Sequence, residues 1–153
     1  MSRKSVRMDD DEIWSFLADA HTGILTTLKR DGNPVALPVW FAVVDRRIYT
    51  GTRGKKLLRI ERDPRSSFLV EEGLAWAELR AVHVATEARV LEDPDPDLMA
   101  RISAEMARKY SGAKTPSSQM PAASAEHYKS NPGRTVELVP TGKILAWDNS
   151  KMF

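Results

Sequence analysis

Between Thr22 and Thr52 the chain runs TGILTTLK, RDGN, PVALPVWFAVV, DRR, IYTGT: apolar and β-branched runs broken by an Asp-Gly pair and a short charged gap. Runs of this kind bounded by turn residues are strands, so the spacing predicts a three-stranded meander. SSFLVEE and the longer WAELRAVHVATEARVLE, which alternates around Val82, Val84 and Ala88, add two more. RTVELVP and KILAWDNSKMF, joined by a Thr-Gly turn, read as a closing hairpin. Pro38 stands inside the second run, and proline has no N–H to give a ladder, so regular pairing must lapse near it or the strand must lie at an edge.

Helical spacing appears in three places. Asp9 with Glu12 three residues on forms a capping-box pattern ahead of Ile13, Phe16, Leu17 and Ala20, with Trp14 widening the apolar face. A basic helix over Lys55 to Arg62 must stop at Asp63, because the residue before Pro64 is pushed out of helical geometry. A third helix follows DPDPD, with Leu98, Ile102, Met106 and Tyr110 four apart. The stretch 111–125, SGAKTPSSQMPAASA, has no periodicity and is expected to be a loop or a flap over a ligand. At 153 residues this is one domain's worth of chain. Six or seven strands with two or three peripheral helices predict a mainly β, α+β barrel spanning residues 1–153.

Composition narrows the chemistry. Lys+Arg 23 against Asp+Glu 21 leaves +2, too little for a basic coat, so nucleic-acid binding would need a local patch such as Arg46, Arg47, Arg53, Lys55 and Lys56. The absence of cysteine removes disulfides, thiolate catalysis and Cys-ligated zinc. His21, His83 and His127 are scattered, and neither HExxH nor GxSxG occurs, so neither a metal nor a hydrolytic nucleophile is expected. The N-terminus lacks the apolar core of a signal peptide and no apolar run reaches membrane-spanning length, which predicts a soluble, cytoplasmic protein without a membrane partner.

YTGTRGKKLLRIERDP, Tyr49 to Pro64, carries the strongest functional signal. It is not a P-loop: Gly51 and Gly54 are separated by two residues and Lys55-Lys56 is not followed by Ser or Thr. It does put Thr50 and Thr52 at a strand end, Arg53 as a forked donor, and Lys55 and Lys56 beside the free N–H groups of a helix start, the makings of a phosphate site.

Taken in order, the first helix, HTGILTTLKRDGNPVALPVWF, RIYTGT, GKKLLRIERDPRSSFLVEE and HVATEARVLED resemble the pyridoxamine 5′-phosphate oxidase-like split β-barrel superfamily, an FMN-binding-protein-like fold, and within it the flavin- and deazaflavin-dependent reductases. The resemblance implies a homodimer with two cofactors at its interface and a cofactor phosphate on Thr50, Thr52, Arg53, Lys55 and Lys56. It implies a ring system along Pro38, Val39 and Trp40, and Trp76 and Trp147 at the rim or from the partner. The C-terminal pattern by which true pyridoxamine-phosphate oxidases hold their substrate is not matched, which argues against that activity. The function so implied is hydride transfer between a bound cofactor and a small planar or unsaturated molecule. The surplus of Arg53, Lys55, Lys56 and Arg59 favours the deazaflavin coenzyme F-420 over FMN. The rival is a split barrel that holds flavin or haem without turnover.

Overall fold

The computed structural model describes residues 4–153. Eight strands and four α-helices follow in the order α1 (Asp10–Asp19), β1 (Gly23–Leu28), β2 (Pro34–Val39), β3 (Phe41–Val44), β4 (Arg47–Thr52), α2 (Gly54–Arg62), β5 (Arg65–Glu72), β6 (Arg80–Val90), α3 (Pro96–Tyr110), α4 (Ala122–Ser130), β7 (Arg134–Pro140) and β8 (Leu145–Asp148). The strands form one antiparallel sheet in the order β2-β1-β5-β6-β7-β4-β3, with β8 also on β6. β2 and β3 are thus the two ends of the sheet, yet only Trp40 separates them in the chain. The sheet curls until its ends meet at that residue, which makes a split barrel of the expected α+β class.

Two expectations change here. The first three runs are not one meander: β1 pairs β2 and β3 pairs β4, but β2 and β3 part at Trp40. The lapse falls two residues past Pro38, which pairs with Ile24 on an edge strand that has no second neighbour to supply with an N–H. Nor do the last two runs make a hairpin. β6, at 11 residues, is long enough to carry β8 on Arg80–His83 and β7 on Thr86–Val90 along the same edge, end to end. Thr141 N–H, bonded to the Ala85 carbonyl, marks the changeover.

The barrel interior is filled by Leu25, Val39, Phe41, Ile48, Phe68, Val70, Val82, Val84, Val136 and Leu138. Phe41 and Phe68 meet edge to face at 5.0 Å. Helix α1 closes one opening with Ile13, Phe16 and Leu17, and its capping box is formed, with Asp9 Oδ1 accepting from Glu12 N–H and Glu12 Oε2 from Asp9 N–H. Ile60 is the buried anchor of α2, which ends at Asp63 as Pro64 requires. Helix α3 lies on the outside, its Ile102 packed with Ala42, Val44 and Tyr49. The stretch expected to be a loop instead holds a 3-10 turn at Ser117–Gln119 and α4, which buries none of its residues. With no apolar face, α4 has no periodicity for sequence reading to detect.

Candidate functional site

The break at Trp40 strips Trp40 and Phe41 of ladder partners on one side, and three side chains replace them. Thr50 Oγ1 donates to the Trp40 carbonyl at 2.7 Å. Tyr110, at the end of α3, accepts from Phe41 N–H at 3.0 Å and donates to the His21 carbonyl at 2.7 Å. Lys109 Nζ donates to the Phe41 carbonyl at 2.9 Å and lies 3.6 Å from the Phe41 ring centroid. Burial, with Arg108 nearby, lowers the Lys109 pKa to about 8. Every buried backbone group needs a partner, so these contacts hold the seam open in a fixed shape. Replacing Tyr110 with Phe should leave Phe41 N–H unpaired and lower stability by about 1–3 kcal/mol. Urea denaturation followed by tryptophan fluorescence measures this, since Trp40 reports on the same site.

Trp40 stacks on Tyr110 with centroids 4.4 Å apart and planes 5° from parallel. The pair forms one wall of a cavity of about 760 Å³ between α3 and the outer face of β4. Met99, Ile102 and Met106 make its apolar side, Thr50 and Gly51 its floor, and Ser111, Lys114 and Pro116 its mouth. A volume of this size, apolar with a few polar groups, suits a drug-sized planar ligand. The mouth comes from the segment read as a possible flap.

Two residues past Gly51, β4 hands over to α2. Arg53 is the N-cap but gives α2 no side-chain cap, and the first turn carries no acid, so its N–H groups face outward beside Lys55 and Lys56. Gly54 adopts φ 59°, a left-handed conformation that a β-carbon would strain. Lys56 is half-buried; burial first, then the neighbouring cations Arg59 and Arg53, pull its pKa below the lysine value. Arg53 lies 4.7 Å over the Tyr128 ring of α4 and donates to the Asn131 carbonyl. The donor set fits a phosphate: cationic side chains around unpaired helix N–H groups, without an opposing carboxylate. Thr52 is buried and, among the described residues, its hydroxyl has no partner, an orphaned donor one residue from the N-cap.

The remaining expected residues are dispersed. Pro38 is exposed on β2, whereas Val39 points into the core at 6% exposure. Trp76 is 65% exposed in a 3-10 turn between β5 and β6, and Trp147 lies half-buried in β8 opposite Ala81. Neither lines the cavity. Arg46 is ion-paired with Asp11, and Arg47 lies 3.9 Å from Glu137, so they do not extend a basic patch. Sequence reading missed Tyr110 as a hinge of the site; it registered only as the last apolar position of α3.

A family model described as pyridoxamine 5′-phosphate oxidase matches residues 9–139. The chain belongs to that family. No curated protein matches it in sequence. Among solved structures similar to this family member is a conserved hypothetical protein from Mycobacterium tuberculosis, 28% identical, with a TM-score of 0.78 over 99% of this chain and 92% of that one. An FAD-binding protein from Mesorhizobium loti is 20% identical, with a TM-score of 0.66 over 91% of this chain and 94% of that one. A haem storage protein from Vibrio cholerae is 14% identical, with a TM-score of 0.65 over 92% and 97%. The last two likenesses establish the fold alone. Among the described residues no group of three or more acidic, His or Cys side chains is placed to hold a metal, and no helix is long and apolar enough to cross a membrane.

Proposed function

We propose that the chain is an oxidoreductase that binds a flavin-type cofactor by its phosphate at the start of α2 and exchanges hydride with a small planar or unsaturated molecule. The observation that carries this reading is the pairing of an uncapped, cationic helix start with an apolar, aromatic-walled cavity two residues away along β4. Arg53, Lys55 and Lys56 would hold the phosphate, with Thr50 and Thr52 beneath. Trp40 and Tyr110 offer a flat face for a ring, with Pro38 and Val39 leading into it. When bound, the cofactor supplies the hydride chemistry. The protein's part is to orient the ring, exclude water with Met99, Ile102 and Met106, and keep the seam rigid through Tyr110 and Lys109. The deazaflavin coenzyme F-420 is favoured over FMN because the cations around α2 outnumber what one phosphate neutralises.

A homodimer with the cofactor at its interface belongs to the same proposal. Across the outside of the sheet, Pro38, Ile24, Leu69, His83 and Leu145 stand opposite one another in register, with Leu145 61% exposed. A row of this kind beside the free edge of β2 invites a second copy. Trp76 and Trp147 would then lie at the rim of the partner's site. Light scattering at micromolar concentration should give a dimer; a monomer contradicts the interface. Mixing reduced cofactor with the protein and a panel of acceptors should oxidise it faster than free cofactor in stopped flow. Tight binding without acceleration by any acceptor would instead favour a storage or carrier role of the kind named for the Vibrio cholerae protein.

A further inference from the structure

Helix α4 contributes nothing to the core: it buries none of its residues, and within it Ala125 alone is half-buried. It does reach Arg53. The guanidinium carbon of Arg53 lies 4.7 Å from the centroid of the Tyr128 ring, and Arg53 Nη1 donates to the Asn131 carbonyl at 3.3 Å. The turn after the helix passes beside the same group, since a β-carbon at Gly133 would lie 3.1 Å from the Thr52 carbonyl oxygen and 3.6 Å from Arg53 Nη2.

Electrostatics account for this contact. Arg53 is the N-cap of α2, the positive end of a helix dipole, where a cation is disfavoured. Asn131 is the C-cap of α4, the negative end of another, where a cation is favoured. Asn131 N–H and Ser130 Oγ both donate to the His127 carbonyl, at 3.0 and 3.2 Å, which closes the last turn of α4 and leaves the Asn131 carbonyl for Arg53. The Tyr128 ring adds the attraction of an aromatic face for a guanidinium. Of its five N–H groups Arg53 gives one to Asn131, and among the described residues it has no carboxylate within 4.0 Å. Arg53 also helps to lower the Lys56 pKa, so the clamp keeps it within the field of that lysine.

We propose that Tyr128 is a positioning residue: with the C-terminal end of α4 it holds the Arg53 guanidinium beside Lys56, so that a phosphate arriving at the start of α2 meets a donor already in place. The proposal rests on the phosphate site argued above and concerns what α4 adds to it. Without the clamp, the α2 dipole and the charges of Lys55 and Lys56 would drive the arginine away, and its side-chain freedom would be lost only on binding. With the clamp, that ordering is complete before the ligand arrives.

The test titrates the full chain calorimetrically with FMN, the deazaflavin coenzyme and inorganic pyrophosphate. Tyr128→Ala should weaken binding about three- to fivefold, as expected for an exposed cation–π contact. Its denaturation midpoint should stay close to wild type, because the ring is 51% exposed. Tyr128→Phe keeps the aromatic face and should bind within about twofold of wild type. Arg53→Ala should weaken binding about tenfold, and adding Tyr128→Ala to it should cause no further loss, because the tyrosine acts through the arginine.

Wild-type affinity in Tyr128→Ala, a loss in the Phe variant equal to that in the Ala variant, or losses that multiply in the double variant would each overturn the positioning role. When a flavin binds and Tyr128 has no effect on it, the cofactor reading stands without the clamp. When neither flavin binds but pyrophosphate follows the expected pattern, the positioning role stands and the cofactor reading falls. Failure of wild type to bind any of the three overturns both.

Discussion

Gly23→Ala should be among the most damaging single methyl additions in this chain. A β-carbon built at Gly23 would lie 2.2 Å from Phe68 Cζ and 2.3 Å from its Cε2. Phe68 is fully buried and meets Phe41 edge to face, so its ring cannot swing aside without displacing the centre of the barrel. Overpacking of this kind costs about 1–3 kcal/mol, and the short approach places this case at the upper end. The strain also reaches the site, because Gly23 pairs with Val39 and Phe41 follows Trp40 across the seam. Chemical denaturation should show the lower midpoint, and a weaker contribution from Trp40 in the folded fluorescence. Reducing Phe68 to Leu in the same chain should recover part of the loss, which separates a ring clash from a general intolerance at Gly23.

Lys56→Ala should cost binding far more than folding. The side chain is half-buried among Arg53 and Arg59 with its pKa depressed, so the fold gains little from its charge, and at a helix start that charge opposes the macrodipole. A charge-assisted bond to phosphate contributes about 1.5–3 kcal/mol, so affinity for FMN or the deazaflavin coenzyme should fall about tenfold or more. The pH dependence has a definite sign. Only protonated Lys56 pairs with phosphate, so wild-type affinity should decline as pH rises through its folded pKa, which lies below the ordinary 10.5. Because the bound anion favours the proton, binding should take protons up in that window. The alanine variant should lose this part of the profile while its denaturation midpoint stays close to wild type.

Local signals were read well from sequence because their causes are local. The Asp9–Glu12 box needs only four residues, and the stop at Asp63 only the proline after it. Alternation likewise located the strands. What the pattern could not contain is which edges meet. Continuous β-type residues across PVALPVWFAVV give no sign that the chain leaves one end of the sheet at Trp40 and joins the other, because the groups that permit it, Thr50, Lys109 and Tyr110, lie 10 to 70 positions away. The same holds for β7 and β8, whose separation depends on the length of β6.

The candidate site was legible in part. The cationic start of α2 follows from spacing alone, and the stripe of Lys55, Arg59 and Arg62 shares one helix face. Lys29 and Arg30 join that stripe only through the packing of α2 on β1. Thr50 was read from its place at the strand end, and the fold adds a bond no spacing could show: its hydroxyl donates to the Trp40 carbonyl, tying the end of β4 to the aromatic wall. Tyr110 was hidden because a tyrosine closing an apolar stripe looks the same whether it fills a core or braces a seam.

The measurement that bears most directly on this account is a pair of crystal structures of the protein soaked with FMN and with the deazaflavin coenzyme. The phosphate of at least one should lie within hydrogen-bonding distance of Lys56 Nζ and the first N–H groups of α2, with the ring reaching toward Trp40. A phosphate bound at Lys114 on the mouth of the α3 cavity, or the absence of both ligands at saturating concentration, would contradict it.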